Sequence, residues 1–549
     1  MKKTLLIVVS YFLFLTSACS QVLNNKQTAS RQDSLRGTIT KERAWWNVLK
    51  YDITVTPDFG NRSIKGKNQI SFFDNGGYTM QIDLQQPMEI DSAVINNEKI
   101  NFKREGNVFW LYLRDSAKTY RIKPGIKELI IYFHGIPRPA LNAPWDGGWI
   151  WKKDEKDRPW ISVACQGLGA SVWYPCKDHQ SDEPDNGASI TINIPDTLVA
   201  VANGKLKNKV VNNGIASYTW EVKNPINNYN IVPYIGKYVN YTETFDGEKG
   251  KLNCSYWVLD YNLEKAKKQF EQVTPTLKAF EHWFGPYPFY EDDFKLVESP
   301  HLGMEHQSAV AYGNKYQNGY LGNDLSGTGQ GLKWDFIIVH ETGHEWFGNN
   351  ITTKDIADMW VHEGFTNYSE TLFMEYNFTK KDAYEYVRGL RKKIQNNKPV
   401  IGKYGLNEEG SGDMYYKGAN MLHTIRQVIC DDKKFRDILR GLNTKFYHQT
   451  VTTKQIEDYI IQQSKKDLSK IFDQYLRNTK IPTLKLEIDG NVLKYKWDDC
   501  IAGFNMPVKL SNGQWLQPAN DWKELKMDAE SIKDINADPN FYINVKKDD

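Results

Sequence analysis

One stretch of this sequence is the most informative about its fold and chemistry, namely Val339-His340-Glu341-Thr342-Gly343-His344-Glu345-Trp346-Phe347. It continues the apolar run Phe336-Ile337-Ile338 and has the form H-E-x-x-H. Residues four apart lie on one face of a helix, so His340 and His344 can each present a ring nitrogen to one Zn²⁺ at about 2.0–2.1 Å. Glu341 then lies beside the open coordination position. The stretch predicts a catalytic zinc site built on a helix.

A catalytic zinc takes a third protein ligand. The segment Trp360-Val361-His362-Glu363-Gly364-Phe365 offers Glu363 on what the pattern predicts to be the next helix. His362 is the competing ligand, although Glu363 already completes a set of two histidines and one glutamate. Glu370 lies two turns further along the same face, where it can orient a ligating imidazole. We expect one Zn²⁺ per chain.

An accidental H-E-x-x-H string on an ordinary amphipathic helix is the competing interpretation. In a chain with 10 His among 549 residues, that coincidence is on the order of one in a hundred. The W-x-x-E-G segment that follows lowers it further. The motif therefore favours a metal site over chance.

Length and composition limit the classes that remain. A chain of 549 residues exceeds a single domain of about 100–200 residues, so two to four packed units are expected. The mean hydropathy of -0.60 excludes a polytopic membrane protein. With 70 Lys and Arg against 67 Asp and Glu the formal charge is +3, so no nucleic-acid partner is expected.

The N-terminus carries the signature of an export signal. Lys2 and Lys3 precede an apolar run over 4–15, and the small residues Ser17 and Ala18 lead into Cys19. This ending resembles a bacterial lipobox, which predicts a signal over 1–19 and lipidation of Cys19. Ordinary cleavage after residue 20 is the alternative. Either way we expect export, to the periplasm or outer membrane as a lipoprotein, or as a soluble periplasmic or secreted protein.

The pattern of apolar residues divides the rest of the chain, and the fold class that it predicts is multi-domain α+β. Residues 20–41 are polar and are expected to form a tether. Period-two alternation such as Tyr51-Asp52-Ile53-Thr54-Val55 predicts an all-β domain over 42–243. Helix-length periodicity predicts a mainly helical domain over 244–478, and short apolar runs predict a small β domain over 479–549.

The cysteines do not form a disulfide framework. Besides Cys19 an odd number remains, without metal-site spacing, namely Cys165, Cys176, Cys254, Cys430 and Cys500. Pairing of Cys165 with Cys176 stays open for an oxidising compartment.

Further matches make the chain resemble the aminopeptidase N family of zinc metallopeptidases. The family pattern H-E-x-x-H-(x18)-E is met by His340, Glu341, His344 and Glu363. Its G-x-M-E-N motif appears over 302–306 as L-G-M-E-H, with His306 in place of Asn. Its Y-x-K-G-A motif is present over 415–419. The resemblance spans nearly all of the chain that follows the signal.

The resemblance implies a saddle-like β domain, a thermolysin-like catalytic domain, and peptides with a free N-terminus as substrates. It implies that Glu341 is the general base and that Tyr415, rather than Tyr416, stabilises the oxyanion. The substrate-binding residues that it implies are Gln166, Gly303, Met304 and Glu305. Many relatives end in a long helical array, whereas the strand-like end of this chain predicts a more open cleft.

Two other functions share parts of this pattern. A thermolysin-type endopeptidase would use the same zinc ligands without an amine anchor, which Met304-Glu305 argues against. A non-catalytic peptide-binding lipoprotein would not need a general base beside a metal, so Glu341 and Tyr415 argue against it.

Overall fold

Alternating apolar and polar residues build the first part of the chain into β-sheets. In the computed structural model, which describes residues 29–114, 124–528, 532 and 535–548, the first strand alternates between buried and half-exposed side chains along its length. The strands of this part are β1 (Trp46–Asp58), β2 (Ser63–Asp74), β3 (Thr79–Asp83), β4 (Glu89–Ile95), β5 (Glu98–Glu105), β6 (Val108–Tyr112), β7 (Gly125–Gly135), β8 (Gly148–Lys153), β9 (Pro159–Ala164), β10 (Ala188–Pro195), β11 (Val199–Val201), β12 (Lys205–Asn212), β13 (Ile215–Val222) and β14 (Tyr234–Gly236).

These strands form two sheets. One has ten strands in the order β12-β13-β10-β1-β2-β7-β4-β5-β6-β3, and the other has four in the order β11-β14-β9-β8. In the larger sheet β1 pairs with β2 antiparallel and with β10 parallel, with Tyr51 opposite Ala188. The smaller sheet matters for the site, because β9 ends just before Gln166.

A short helical segment precedes the first strand, with α1 at Arg31–Gly37 and α2 at Lys41–Ala44. The buried guanidinium of Arg43 donates to the carboxylate of Asp83 at 2.6 Å and to the carbonyl of Leu35 at 2.8 Å. Arg36 pairs with the buried Asp178. The expected tether over 20–41 therefore needs correction for its second half. Ion pairs to the β domain hold this segment, and a hydropathy pattern does not reveal them.

The middle of the chain adds a third sheet, which has five strands, and most of the helices. The strands are β15 (Tyr238–Gly247), β16 (Gly250–Leu259), β17 (Phe294–Glu298), β18 (Gly303–Met304), β19 (Val310–Tyr312), β20 (Ile351–Thr353) and β21 (Gln449–Val451). The helices are α3 (Leu263–Gln269), α4 (Val273–Phe284), α5 (Phe336–Gly343), α6 (Trp360–Asn377), α7 (Lys380–Gly389), α8 (Tyr416–Ile429), α9 (Asp432–Lys445), α10 (Thr453–Ser464) and α11 (Ser469–Arg477).

Five of these strands pair in the order β15-β16-β17-β19-β18, which leaves β18 at an edge. Strand β15 crosses the domain boundary predicted at 243. It pairs without a break with β16 of the five-stranded sheet. Helix α6 is buried on every face from Trp360 to Met374. A helix surrounded in this way lies at the centre of a domain.

The last part of the chain is small and built from strands. They are β22 (Thr483–Asp489), β23 (Val492–Asp498), β24 (Val508–Lys509), β25 (Trp515–Leu516), β26 (Lys523–Lys526) and β27 (Asn544–Asp548). Residues 482–528 are all described and contain no helix. The predicted multi-domain α+β class is confirmed by an N-terminal β-rich part and a mainly helical middle part. No helix in the described ranges is long and apolar enough to cross a membrane.

We predict that Arg43→Met destabilises the β domain by about 3 kcal/mol, because it leaves a buried carboxylate without its ion-pair partner. Urea unfolding followed by tryptophan fluorescence measures the change. The control is Lys41→Met, since the Lys41 amine is 91% exposed and should change stability by less than about 0.5 kcal/mol. Equal stability of the two variants would contradict the assignment of Arg43 as an anchor.

Candidate active site

Helix α5 carries the first two metal-binding candidates. Its N-cap Asp335 accepts hydrogen bonds from the backbone N–H groups of Ile337 and Ile338 at 3.0 and 3.3 Å, which fixes where the helix begins. All of α5 is buried. The Nε2 atoms of His340 and His344 lie 3.3 Å apart.

Glu363, in the first turn of α6, completes the cluster. Its Oε2 lies 3.7 Å from Nε2 of His340 and 3.4 Å from Nε2 of His344. Ligands about 2.0–2.1 Å from a tetrahedral zinc ion are about 3.3–3.4 Å apart. The same Oε2 is buried and accepts no hydrogen bond from any residue in the described ranges. The donor set and its spacing therefore fit a zinc ion.

The other ring nitrogens orient the imidazoles. Nδ1 of His344 donates to the carbonyl of Phe347 at 3.0 Å, and Nδ1 of His340 lies 2.7 Å from Oε1 of Glu370. Because a carbonyl only accepts, the Nε2 of His344 carries no proton in that tautomer and is available to a metal. Glu370 is held in turn by Tyr386 at 2.6 Å and Asn367 at 2.8 Å.

The carboxylates of the site differ in their surroundings. Burial disfavours the charged form of Glu363, yet the positive charge of the neighbouring His344, together with that of His340, holds its pKa below the ordinary range. Burial raises the pKa of Glu341 to about 7, against the opposing effect of the two histidines. A carboxylate with a pKa near neutrality is suited to exchange protons at the working pH.

His362, the competing ligand, points away from the cluster. Its Nε2 accepts a hydrogen bond from the backbone N–H of Thr353 at 2.9 Å. Burial lowers the pKa of His362 to about 3, so the ring is neutral. It accepts the hydrogen bond from the last residue of β20. The structure brings Glu363, and not His362, to the two histidines.

The predicted amine anchor lies at the junction of the two large domains. Oε1 of the buried Glu305 accepts hydrogen bonds from Gln166 at 2.5 Å and from the Tyr229 hydroxyl at 2.8 Å. Burial raises the pKa of Glu305. Glu305, Glu341 and His344 each offer an atom within 4.8 Å of the others. The anchor therefore lies next to the predicted metal site.

Gly303 and Met304 have separate roles in this arrangement. A Cβ on Gly303 would lie 2.6 Å from Oε1 of Glu341, so a side chain there would displace the carboxylate. Met304 is 5% exposed and packs into the core of the β domain while also lining the cleft. Edge strand β18 thus joins the domain interface to the site.

Tyr415 reaches the cleft from the start of α8. Its ring stacks on His340, with ring centroids 6.2 Å apart and planes inclined by 23°. Tyr416 lines the same cleft, so proximity alone does not separate the two tyrosines. Helices α6 and α8 approach closely, since a Cβ on Gly418 would lie 3.0 Å from the Cα of Gly364.

Three residues that support this site had no signal in the sequence. Tyr229 holds Glu305, while Tyr386 and Asn367 hold Glu370. Asn349 donates to the carbonyl of Glu305 at 2.8 Å, and its place just after the H-E-x-x-H stretch could have suggested it. Tyr229 and Tyr386 reach their carboxylates only through the fold, whereas Asn367 lies one turn before Glu370 on α6.

His306 and the cysteines are the remaining residues on which the sequence analysis made a prediction. His306, which replaces the family Asn, is buried and bonds to the hydroxyl of Tyr234 and not to the cleft. Cys165 and Cys176 are buried free thiols in this structure. Burial raises the pKa of both thiols. Cys19 lies outside the described residues.

Comparisons with known proteins agree with this geometry. Residues 268–475 match the model of the peptidase family M1 domain. The chain is 23% identical over 463 residues to the mitochondrial aminopeptidase 2 of Saccharomyces cerevisiae, covering 81% of this chain and 47% of that protein. It is 21% identical over 465 residues to the leucyl aminopeptidase of Saccharolobus solfataricus, covering 81% of this chain and 55% of that protein. The chain spans about half the length of these relatives.

The fold has solved counterparts. The M1 zinc metallopeptidase of Deinococcus radiodurans superposes with a TM-score of 0.67 at 18% identity, covering 81% of this chain and 96% of that one. A mutant of that protein was solved bound to a Tyr-Ser-Ala substrate. The fold is that of these M1 zinc metallopeptidase structures, and the cluster of His340, His344 and Glu363 can hold a metal ion. Over residues 268–475 the chain matches a peptidase family M1 domain, and over most of its length it is similar to the aminopeptidases named above.

We predict that Glu370→Gln lowers the affinity for zinc about 10- to 100-fold, because the amide orients the His340 ring less strongly. Competition with a chromophoric chelator measures the affinity directly. Glu385→Gln on α7 is the matched control, since Glu385 bonds to Gln330 and not to the metal site. Unchanged affinity in the Glu370 variant would remove Glu370 from the metal site.

Proposed function

We propose that this protein is a zinc-dependent aminopeptidase that removes N-terminal residues from peptides. The observation that carries the proposal is the buried carboxylate of Glu305 beside the His340, His344 and Glu363 cluster. A zinc set alone is common to exopeptidases and endopeptidases. A buried, hydrogen-bonded carboxylate beside it gives an ammonium group a partner.

Each residue has one task in the proposed reaction. When bound, zinc supplies Lewis-acid activation of water and of the scissile carbonyl. Glu341 takes the proton of the attacking water and passes it to the leaving amine. The phenol of Tyr415 donates a hydrogen bond to the developing oxyanion. Glu305, held by Gln166 and Tyr229, fixes the substrate ammonium so that the first peptide bond meets Glu341.

The endopeptidase alternative is disfavoured by the same contacts. Two donors converge on Oε1 of Glu305, which leaves Oε2 as the acceptor for a third. A substrate that continued through this position would place a neutral backbone against a buried charge. The non-catalytic alternative is disfavoured by Gly303. A side chain at this position would displace the carboxylate of Glu341, and a protein that only binds peptides has no need to keep that space free.

A comparison of free and N-acetylated substrates tests the function. We predict that a leucyl nitroanilide is cleaved, that a chelator abolishes cleavage, and that the acetylated form is cleaved at least about 100-fold more slowly. Glu305→Gln should shrink this preference, because the amide loses the charge that pairs with the ammonium. Glu341→Gln should bind zinc and lose most turnover. Equal cleavage of free and blocked substrates would favour the endopeptidase.

We predict that Tyr415→Phe lowers kcat about 100-fold with little change in KM, as expected for an interaction formed only in the transition state. Tyr416→Phe is the control and should change kcat much less. Gly418→Ala should also lower kcat, because it pushes α8 away from Gly364. In the Tyr415→Phe background it should have little further effect. The reverse order of the two tyrosines would transfer the role to Tyr416.

The place of action is a further part of the proposal. The sequence over 1–19, with Lys2, Lys3 and the small residues before Cys19, supports export as a lipoprotein of the cell envelope. We predict that the protein incorporates labelled palmitate when expressed in a bacterium, and that Cys19→Ala abolishes the label. Labelling that survives this change would move the anchor elsewhere.

A further inference from the structure

A second cavity adjoins the active-site cleft. Its walls come from the β domain, from the start of α3 and from the loop between β17 and β18, including Lys152, Lys265, Glu298 and His301. Leu302 lines both this cavity and the cleft, and the neighbours Ala143 and Pro144 line one each. The two spaces are therefore separated by little more than one side chain.

Edge strand β18 gives the substrate a direction. Its outer edge has no strand partner in the sheet, so an extended peptide can pair along it. The amine would lie at Glu305, and the scissile bond would lie near Gly303, which touches Glu341. Residues beyond the scissile bond then run towards His301, which lies two positions before Gly303 in the loop that leads into β18. At about 3.3 Å per residue, the third substrate residue reaches the second cavity.

The lining of this cavity favours an anion. His301 is 5% exposed, and among the residues that the structure describes neither of its ring nitrogens has a hydrogen-bond partner. A buried imidazole N–H without a partner is costly, and a ligand acceptor would relieve that cost. Three lysines line the cavity, namely Lys152, Lys265 and Lys315.

The carboxylates of the cavity do not cancel this preference. Glu298 already accepts from the backbone N–H of Leu259 and from Asn262, both at 2.7 Å. Glu155 is the other acidic residue of the lining and is exposed to solvent. Lys152 donates one hydrogen bond to the carbonyl of Pro300 at 2.9 Å. An ammonium group has three donors, so two remain for a ligand. Lys265 donates to Oδ1 of Asn262 at 3.2 Å. Three lysines against two carboxylates leave the lining with a net positive charge.

We infer that this cavity, bounded by His301 and the three lysines, binds a carboxylate carried by the third residue of the substrate. The carboxylate is either a C-terminus or an acidic side chain. The inference rests on the proposed aminopeptidase function and names its preferred substrates. Tripeptides with a free C-terminus, and longer peptides with aspartate or glutamate in third place, are the preferred class.

The experiment compares matched tripeptides with the intact protein. The substrates are Leu-Ala-Ala with a free and with an amidated C-terminus, and amidated Leu-Ala-Asp and Leu-Ala-Lys. Leucyl nitroanilide is too short to reach the cavity. Its rate of cleavage therefore measures the reaction at the active site without any contribution from the cavity. We expect kcat/KM to be about tenfold higher for the free acid than for the amide, and about tenfold higher for Asp than for Lys, as a charge-assisted hydrogen bond gives.

Two variants locate the effect. Lys315→Glu and His301→Leu should each reduce both ratios to about twofold or less, while cleavage of the nitroanilide stays within twofold of wild type. Lys268→Glu makes the same change of charge on the exposed face of α3 outside the cavity, and should leave the ratios intact. An equal loss in this control would overturn the local assignment in favour of a general charge effect.

The outcomes separate the two proposals. Equal rates for acid and amide, with the nitroanilide still cleaved, would overturn the cavity assignment and leave the aminopeptidase standing. Failure to cleave any of these substrates with zinc present would overturn the proposed function and this inference with it.

Discussion

The site is governed by the need to stabilise several buried carboxylates in one small volume. Glu305, Glu341, Glu363 and Glu370 are all buried around two imidazoles. An isolated buried charge costs several kcal/mol, so each carboxylate requires a donor or a cation. Glu370 has Tyr386, Asn367 and an imidazole, and Glu305 has Gln166 and Tyr229. For Glu363 a zinc ion meets the same need, and for Glu305 a substrate ammonium completes it.

This requirement explains why the β domain must dock firmly. Gln166 and Tyr229, which hold Glu305, come from the β domain. Glu305 itself follows β18 of the five-stranded sheet. The interface is fixed by polar contacts as well as packing. Asn230 donates to Asn349 at 2.7 Å, and the buried Lys295 donates to the carbonyl of Gly204. A shift of the domains would separate Glu305 from its donors before it disturbed the zinc ligands.

The sequence predicted those parts of the site whose geometry is local. The spacing of His340 and His344 is set by the helical turn, and Glu363 and Glu370 lie two turns apart on one helix. Tyr229 could not be predicted, because its contact with Glu305 joins distant parts of the chain. The helix α1 was missed for a related reason. It is attached by the ion pair of Arg36 with Asp178 and by the hydrogen bond from Arg43 to the carbonyl of Leu35, and neither leaves a periodic apolar pattern.

The choice between exopeptidase and endopeptidase therefore depends on the domain interface and not on the metal ligands. The cluster of His340, His344 and Glu363 would serve either reaction. Glu305 restricts the cleft to a chain end only while Gln166 and Tyr229 hold its Oε1. If the β domain were absent, the carboxylate would gain water and lose its fixed direction, and the preference for an ammonium would weaken. In the proposed function, specificity for a free N-terminus is thus a property of the assembled domains.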